Sequence, residues 1–108
     1  MIVTAILGWL RRQPHTYARK THGGPYSGGW PDIVGCHAGV LFCIEVKRPG
    51  GRATPLQARE LDLWRRAGAV ADVVTSVDDA KMLLRHVLGV SRGILTSAHV
   101  FPKLKAPK

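Results

Sequence analysis

The chain has 108 residues, 45% of them hydrophobic, which is enough for one domain with a buried core and too few for two. Sixteen Lys and Arg residues against seven Asp and Glu residues give a formal charge of +9, which favours a polyanionic partner, nucleic acid above all. The apolar run at residues 1–10 is too short to cross a bilayer. Its charges, Arg11 and Arg12, come after it, whereas a secretory signal has its charges before the apolar run. We therefore expect a cytoplasmic protein with no membrane partner.

The first half of the chain predicts a helix, an extended segment and a hairpin. Residues 2–12 carry apolar side chains at helical spacing, and residues 15–22 are expected to be extended. After a loop rich in Gly and Ser, residues 32–37 and 40–47 are strand-like and apolar on both faces, so layers should cover both sides of the sheet, with Ala38-Gly39 as the turn between them.

The second half predicts two helices around a strand. Thr54, Pro55 and Gln57 form a capping-box sequence that begins a helix over residues 55–67, and Gly68 ends it. A strand is expected at residues 69–75, then a helix capped by Ser76 and ended by Gly89, and a further strand near residues 94–100.

These elements predict an α/β fold with a mixed β-sheet flanked by helices. The strand at 40–47, the helix at 55–67 and the strand at 69–75 should form a right-handed crossover unit with parallel strands. We expect residues 1–102 to form a single domain and residues 103–108 a basic, mobile tail.

The hairpin brings together the first two carboxylates of the chain, Asp32 and Glu45. With a two-residue loop, the numbers of paired residues sum to 77, so these acids lie opposite each other with Cβ atoms about 5 Å apart, and Lys47 follows on the same face. A one-residue slip would separate them. Two facing carboxylates suit Mg²⁺ or Mn²⁺. The alternative is a structural acid pair with a local Lys47 salt bridge.

The ordered residues around this pair resemble a known family. The stretch "GWPDIVG…VLFCIEVKRPGGRATPLQ", continued by "RRAGAVADVVTSVDD", resembles the VRR-NUC group of the PD-(D/E)XK nucleases over about residues 19–80. The resemblance implies a restriction-endonuclease-like αβα core that hydrolyses DNA phosphodiester bonds with Mg²⁺ or Mn²⁺. It implies metal ligation by Asp32, Glu45 and the backbone carbonyl of Val46, a water-positioning role for Lys47, and a further site residue in Gln57.

The resemblance also implies a setting. Stand-alone members of the group look like small homodimers that act on branched DNA, such as Holliday junctions, in the replication, repair and recombination of bacteria or phages. The family commonly has a glutamate on the N-terminal helix as a further metal ligand, and here no acid precedes Asp32. Gln13, His15 or a water would have to replace it. The alternative function is a catalytically weak or inactive nucleic-acid-binding module with the same fold.

Other residues have two interpretations each. Gln57 is also explained by helix capping alone, and Trp30 either anchors its loop or stacks on an unpaired base. Cys36, His37 and Cys43 lack the spacing of a zinc cluster and are expected in the core, with the cysteines too far apart for a disulfide. Candidate phosphate contacts are the basic residues Arg11, Arg12, Arg19, Lys20, Arg48, Arg52, Lys103 and Lys105.

Overall fold

The computed structural model describes residues 2–21 and 28–97. In this part of the chain the elements are α1 (Ile2–Arg11), β1 (Thr16–Lys20), β2 (Ile33–His37), β3 (Val40–Val46), α2 (Pro55–Arg66), β4 (Val70–Val74) and α3 (Val77–Ser91). Residues 94–97 form no strand, so the strand expected near 94–100 is wrong in its described half; residues 98–100 and the tail at 103–108 lie outside the described residues.

The four strands form one mixed sheet in the order β1-β2-β3-β4. β1, β2 and β3 are antiparallel neighbours, whereas β3 and β4 are parallel and joined through α2. His37 pairs with Val40 and Ile33 with Ile44, so the paired numbers sum to 77 as the hairpin predicts. Ala38 and Gly39 both have positive φ values, 51° and 84°, which is the backbone of a two-residue type I′ turn.

Helices cover both faces of the sheet. On one face Ile33, Phe42, Ile44, Val70 and Val74 belong to the main core, together with buried side chains of α1 and α3. On the other face α2 packs Leu61 and Trp64 against a smaller cluster formed by Cys43, Ala69, Ala71 and their neighbours. The arrangement is the αβα sandwich expected from the sequence.

The cover over the second face is incomplete. α2 lies over β3 and β4, and Tyr17, Cys36 and Leu41 at the hairpin-turn end of the sheet are exposed. The expectation that Cys36 is a core residue is therefore wrong, because the single helix on this face does not reach it among the described residues. His37 and Cys43 are buried as expected, and both cysteines are free thiols.

The ends of α2 follow the sequence signals. Thr54 Oγ1 accepts a hydrogen bond from the N–H of Gln57 (3.2 Å), and Gln57 Oε1 accepts one from the N–H of Thr54 (2.9 Å), which completes the capping box. At the other end Gly68, with φ of +107°, donates to Arg65 O, and Ala69 donates to Trp64 O. This is a Schellman motif.

α3 does not end at Gly89, so that expectation is wrong. The helix continues to Ser91 and closes with a Schellman motif at Gly93, whose φ is +75°. A side chain at Gly89 would place its Cβ 2.7 Å from Leu95 Cδ1, where the chain folds back on the helix. Gly89 therefore serves close packing inside the helix, and Gly93 supplies the left-handed residue that ends it.

Candidate active site

The candidate site lies at the end of the sheet opposite the hairpin turn. Asp32 immediately precedes β2, Glu45 is next to last in β3, and Lys47 directly follows β3. Thr21 fixes the start of β2, because its N–H donates to Asp32 O (2.9 Å) and its hydroxyl donates to Pro31 O (2.5 Å). Sequence reasoning missed Thr21, since its partner is across the β1–β2 pair and no local signal specifies that pairing.

The two carboxylates and the lysine lie together. Val46 donates its backbone N–H to Asp32 Oδ2 (2.8 Å), which turns the Asp32 side chain toward the end of β3. Glu45 is 3% exposed, and the β2–β3 register, continued by one residue, sets it opposite Asp32. Lys47 Nζ is 3.5 Å from Glu45 Oε2. The hairpin register thus places both acids on one side of the sheet.

The electrostatics of the pair call for positive charge. Burial and then the neighbouring Asp32 charge raise the pKa of Glu45 from 4.5 to about 7, against the opposing effect of Lys47. Glu45 Oε1 is buried and has no hydrogen-bond partner among the described residues. A buried carboxylate oxygen without a donor is rare in folded proteins. Lys47 alone does not compensate the site, and a divalent cation bound by hard oxygen ligands would.

A third oxygen that could hold a metal ion follows from the backbone pattern at Pro31. Lys47 donates its N–H to Val74 O in β4, so the backbone of Val46 faces the opposite way, toward β2 and Asp32. The β2–β3 register, continued beyond Ile33 and Ile44, sets Pro31 opposite Val46. Proline has no N–H, so it cannot donate to the Val46 carbonyl as an ordinary ladder residue would. That carbonyl is therefore available to an ion beside Asp32 and Glu45.

The sequence before Asp32 contains no further carboxylate that could act as a ligand. α1 contains no acidic residue. Gln13 donates to Trp9 O, and His15 O accepts from the N–H of Ala38 at the hairpin turn, about 20 Å along β2 from Asp32. Gln13 lines a pocket with His37 at that same end, so neither residue lies near Asp32, where a replacement for the glutamate would have to be. Among residues 2–21 and 28–97, no group of three or more His, Cys, Asp or Glu side chains is arranged around a possible metal.

Two other buried acids have structural partners. Asp79 accepts hydrogen bonds from the N–H and the hydroxyl of Thr75, and its own N–H is capped by Ser76. Asp72 lies 3.4 Å from Arg65, and burial raises the pKa of its carboxyl. These acids hold β4 to its flanking helices, which distinguishes them from the pair at Asp32 and Glu45.

The remaining candidate residues divide by position. Gln57 stands at the start of α2 after the loop that follows Lys47, with its Oε1 engaged by the cap. Arg48 and Arg52 are exposed in that same loop. Lys20 is the exposed last residue of β1 and pairs with Ile33 of β2.

Other basic residues lie farther away or outside the described chain. Arg11 donates to Ala18 O, and the exposed Arg12 follows α1 toward the hairpin-turn end. Arg19 is exposed on β1 beside Tyr17. Lys103 and Lys105 lie outside the described residues.

Two solved structures share this fold. A protein described as a VRR_NUC domain is 26% identical, with a TM-score of 0.65, over 79% of this chain and 91% of the other. A VRR_NUC domain protein, 18% identical with a TM-score of 0.67, aligns over 82% of this chain and 86% of the other, and at that identity supports the fold alone. No family model and no curated protein matches the sequence.

The sandwich, its acid pair and these relatives define a nuclease-type α/β domain. The chain resembles VRR-NUC domain proteins in the order of its motif residues and in the fold of its described part. None of the helices in the described part of the chain has the length and apolar character needed to cross a bilayer.

Proposed function

We propose that this protein is an endonuclease that depends on Mg²⁺ or Mn²⁺ and hydrolyses the phosphodiester bonds of branched or otherwise structured DNA. The observation that carries the proposal is the convergence of Asp32, Glu45 and Lys47 at one end of the sheet, with a buried Glu45 oxygen that has no donor among the described residues. The alternative, a purely structural salt bridge between Lys47 and Glu45, explains the position of Lys47. It does not explain why the second oxygen of Glu45, Oε1, is buried with no donor in the described part of the chain.

Each site residue has a chemical role in this proposal. Asp32, Glu45 and the Val46 carbonyl would hold the ion, and the N–H of Val46 fixes the Asp32 carboxylate in place. When bound, the ion supplies Lewis acidity toward a phosphoryl oxygen and lowers the pKa of a bound water. Lys47, held beside Glu45, orients the attacking water and offsets the negative charge that develops on the phosphate. Gln57 borders the site from α2.

The wider setting belongs to the same proposal. The excess of basic residues supports DNA as the partner, and two symmetric cuts in a junction require two sites, whereas one chain supplies one. We therefore infer a homodimer that acts in DNA replication, repair or recombination in the cytoplasm of a bacterium or a phage-infected cell.

The test is cleavage of a labelled four-way junction in Mg²⁺, in Mn²⁺ and in EDTA. Wild type should cut in a metal and not in EDTA. Glu45→Gln and Lys47→Ala should each lower the rate by about 100-fold or more while the junction is still bound. Asp62→Asn is the matched control, because Asp62 forms an exposed ion pair with Arg66 on α2. This variant should cut the junction at the wild-type rate.

The second candidate is a nucleic-acid-binding module that has lost catalysis. The observation that favours it is the absence of any acid on α1, which leaves two carboxylates where the family commonly has three. If the wild-type protein binds the junction but cuts it in neither Mg²⁺ nor Mn²⁺, the protein is a non-catalytic nucleic-acid-binding module. Normal cutting by Lys47→Ala would instead remove that residue from the mechanism.

A further inference from the structure

Trp30 lies two residues before Asp32, and it is both anchored and exposed. Its ring meets Trp64 of α2 edge to face, with 6.1 Å between ring centroids and 79° between planes. Trp30 is nevertheless 50% exposed. The contact with Trp64 thus explains how the indole is held, and it leaves a large part of the ring uncovered beside the candidate active site.

The backbone on both sides of Trp30 is fixed. Gly29 has a φ of +80° and packs so closely on the first turn of α2 that an added Cβ would lie 3.0 Å from Leu56 Cγ. On the other side Pro31 is fully buried, and its carbonyl accepts the hydroxyl hydrogen bond of Thr21. The indole of Trp30 is therefore held at a defined position relative to Asp32. Stacking of a ligand on this ring costs the protein little conformational entropy, because the ring is already ordered.

Leu56 extends this exposed apolar surface. It is 52% exposed, and it lies against Gly29 next to Trp30. We call the surface formed by Trp30 and Leu56 the Trp30–Leu56 shelf. Asp32 follows Trp30 by two residues, and the loop carrying the exposed Arg48 and Arg52 leads directly into the first turn of α2, where Leu56 lies.

A nucleobase fits this combination of groups. Its π-face stacks on aromatic side chains, while the phosphate attached to it is attracted by arginine. In a continuous duplex both faces of every base are covered by neighbouring bases. A base has a free face for the shelf only where this stacking is interrupted, and an unpaired base next to the scissile phosphate presents one without disrupting a base pair.

We propose that the Trp30–Leu56 shelf stacks an unpaired base adjacent to the scissile phosphate, so that the enzyme selects DNA with unpaired nucleotides at the cut. This inference rests on the proposed function, since the acid pair defines where the phosphate lies. Trp30 is in this view a base-stacking, specificity-determining residue, and it takes no part in the bond-breaking step.

Stacking is tested in a background that does not cut. A forked duplex carries 2-aminopurine in its unpaired arm next to the junction, and Glu45→Gln protein is titrated into it. The fluorescence should fall on binding, and the fall should be lost in Glu45→Gln/Trp30→Ala. Glu45→Gln/Trp9→Phe, altered on α1, should quench like the parent. Unchanged quenching in the Trp30→Ala protein would overturn the inference.

Cleavage separates this inference from the proposed function. In single-site variants with Glu45 intact, Trp30→Ala and Leu56→Ser should lower the cleavage of forked relative to fully paired DNA, the former by roughly 5- to 100-fold. Trp30→Phe, which keeps a stacking ring, should retain most of the preference. Metal-dependent cutting with no change in preference in Trp30→Ala or Leu56→Ser would overturn the shelf and leave the nuclease standing. If 2-aminopurine is quenched through Trp30 but neither wild type nor any variant cuts DNA, the base-stacking inference is supported and the proposed nuclease activity is wrong.

Discussion

Oδ2 of Asp32 accepts a hydrogen bond from the backbone N–H of Val46, the residue between Glu45 and Lys47. This hydrogen bond directly joins the two short motifs of the site, Pro31-Asp32 before β2 and Glu45-Val46-Lys47 at the end of β3. Because side chains alternate along a strand, Glu45 and Lys47 point to the same face while the backbone between them faces β2. The Glu-x-Lys spacing and the Asp32 position therefore form one geometric unit.

We predict that Pro31→Ala weakens metal binding. Alanine restores an N–H opposite Val46, and a hydrogen bond to that carbonyl would withdraw an oxygen ligand from the ion. Mn²⁺ affinity measured by calorimetry should fall by roughly 2- to 10-fold, the effect of one ordinary hydrogen bond. Pro49→Ala, a proline loss in the exposed loop after Lys47, is the control. Equal Mn²⁺ affinity in Pro31→Ala and wild type would show that the Val46 carbonyl is not a ligand.

We predict that the metal-free protein gains stability from Glu45 protonation as the pH falls. The pKa of Glu45 is about 7 in the folded state against 4.5 ordinarily, so the folded state binds more protons between these values. The destabilisation of the folded state is complete above pH 7 and is lost as the pH falls toward 4.5, because the folded state keeps the Glu45 proton over that range.

Glu45→Gln isolates this effect from the other titrating groups. Thermal unfolding in EDTA at pH 8 should show the variant to be more stable than wild type, and the difference should shrink at pH 5. Saturating Mg²⁺ should stabilise wild type selectively at pH 8. A variant that is less stable than wild type at pH 8 in EDTA would mean that Glu45 is a satisfied structural acid.

Much of this arrangement was predictable because its signals are local. The hairpin register depends on a two-residue turn, and both Ala38 and Gly39 have the positive φ values that such a turn requires. The start of α2 depends on side-chain and backbone groups within four residues of each other. The pairing of Asp32 with Glu45 follows from the turn alone.

The features that sequence reasoning missed depend on long-range contacts. Gly89 has the appearance of a helix stop, and only its contact with Leu95 explains why the helix continues past it. Cys36 has the apolar setting of a core residue, but the span of α2 leaves it exposed. Thr21 and Trp64, which hold the approach to Asp32, belong to other elements of the fold.

We predict that Gln57 affects cleavage beyond its effect on stability. Thr54→Ala and Gln57→Ala each break the capping box and should lower the unfolding free energy by about 0.5–2 kcal/mol. If Gln57 also contacts the substrate or the water, Gln57→Ala alone should lower the cleavage rate. Melting curves and junction cleavage measured on both variants separate the two roles. Equal cleavage by the two variants at a temperature where both are folded would limit Gln57 to capping.

We predict that the basic loop beside the site makes phosphate contacts. Arg48 and Arg52 are exposed in the loop between Lys47 and α2, whereas Arg12 and Arg92 lie toward the hairpin-turn end, where the Ser91 hydroxyl donates to Ala38 O. Each phosphate contact contributes about 0.9 to the slope of log binding constant against log salt concentration for duplex DNA. The double variant Arg48→Ala/Arg52→Ala should therefore reduce the magnitude of that slope by about 2.

The charge-matched double variant Arg12→Ala/Arg92→Ala separates local contact from overall charge. Both double variants remove two positive charges from the chain, so any nonspecific attraction falls equally in both. Binding of the uncut junction is measured in EDTA at several salt concentrations. If the phosphate path runs past the acid pair, the slope should change far more for the loop variant than for its control. Equal slopes in the two variants would mean that DNA is held by the general field of the protein and not by the loop.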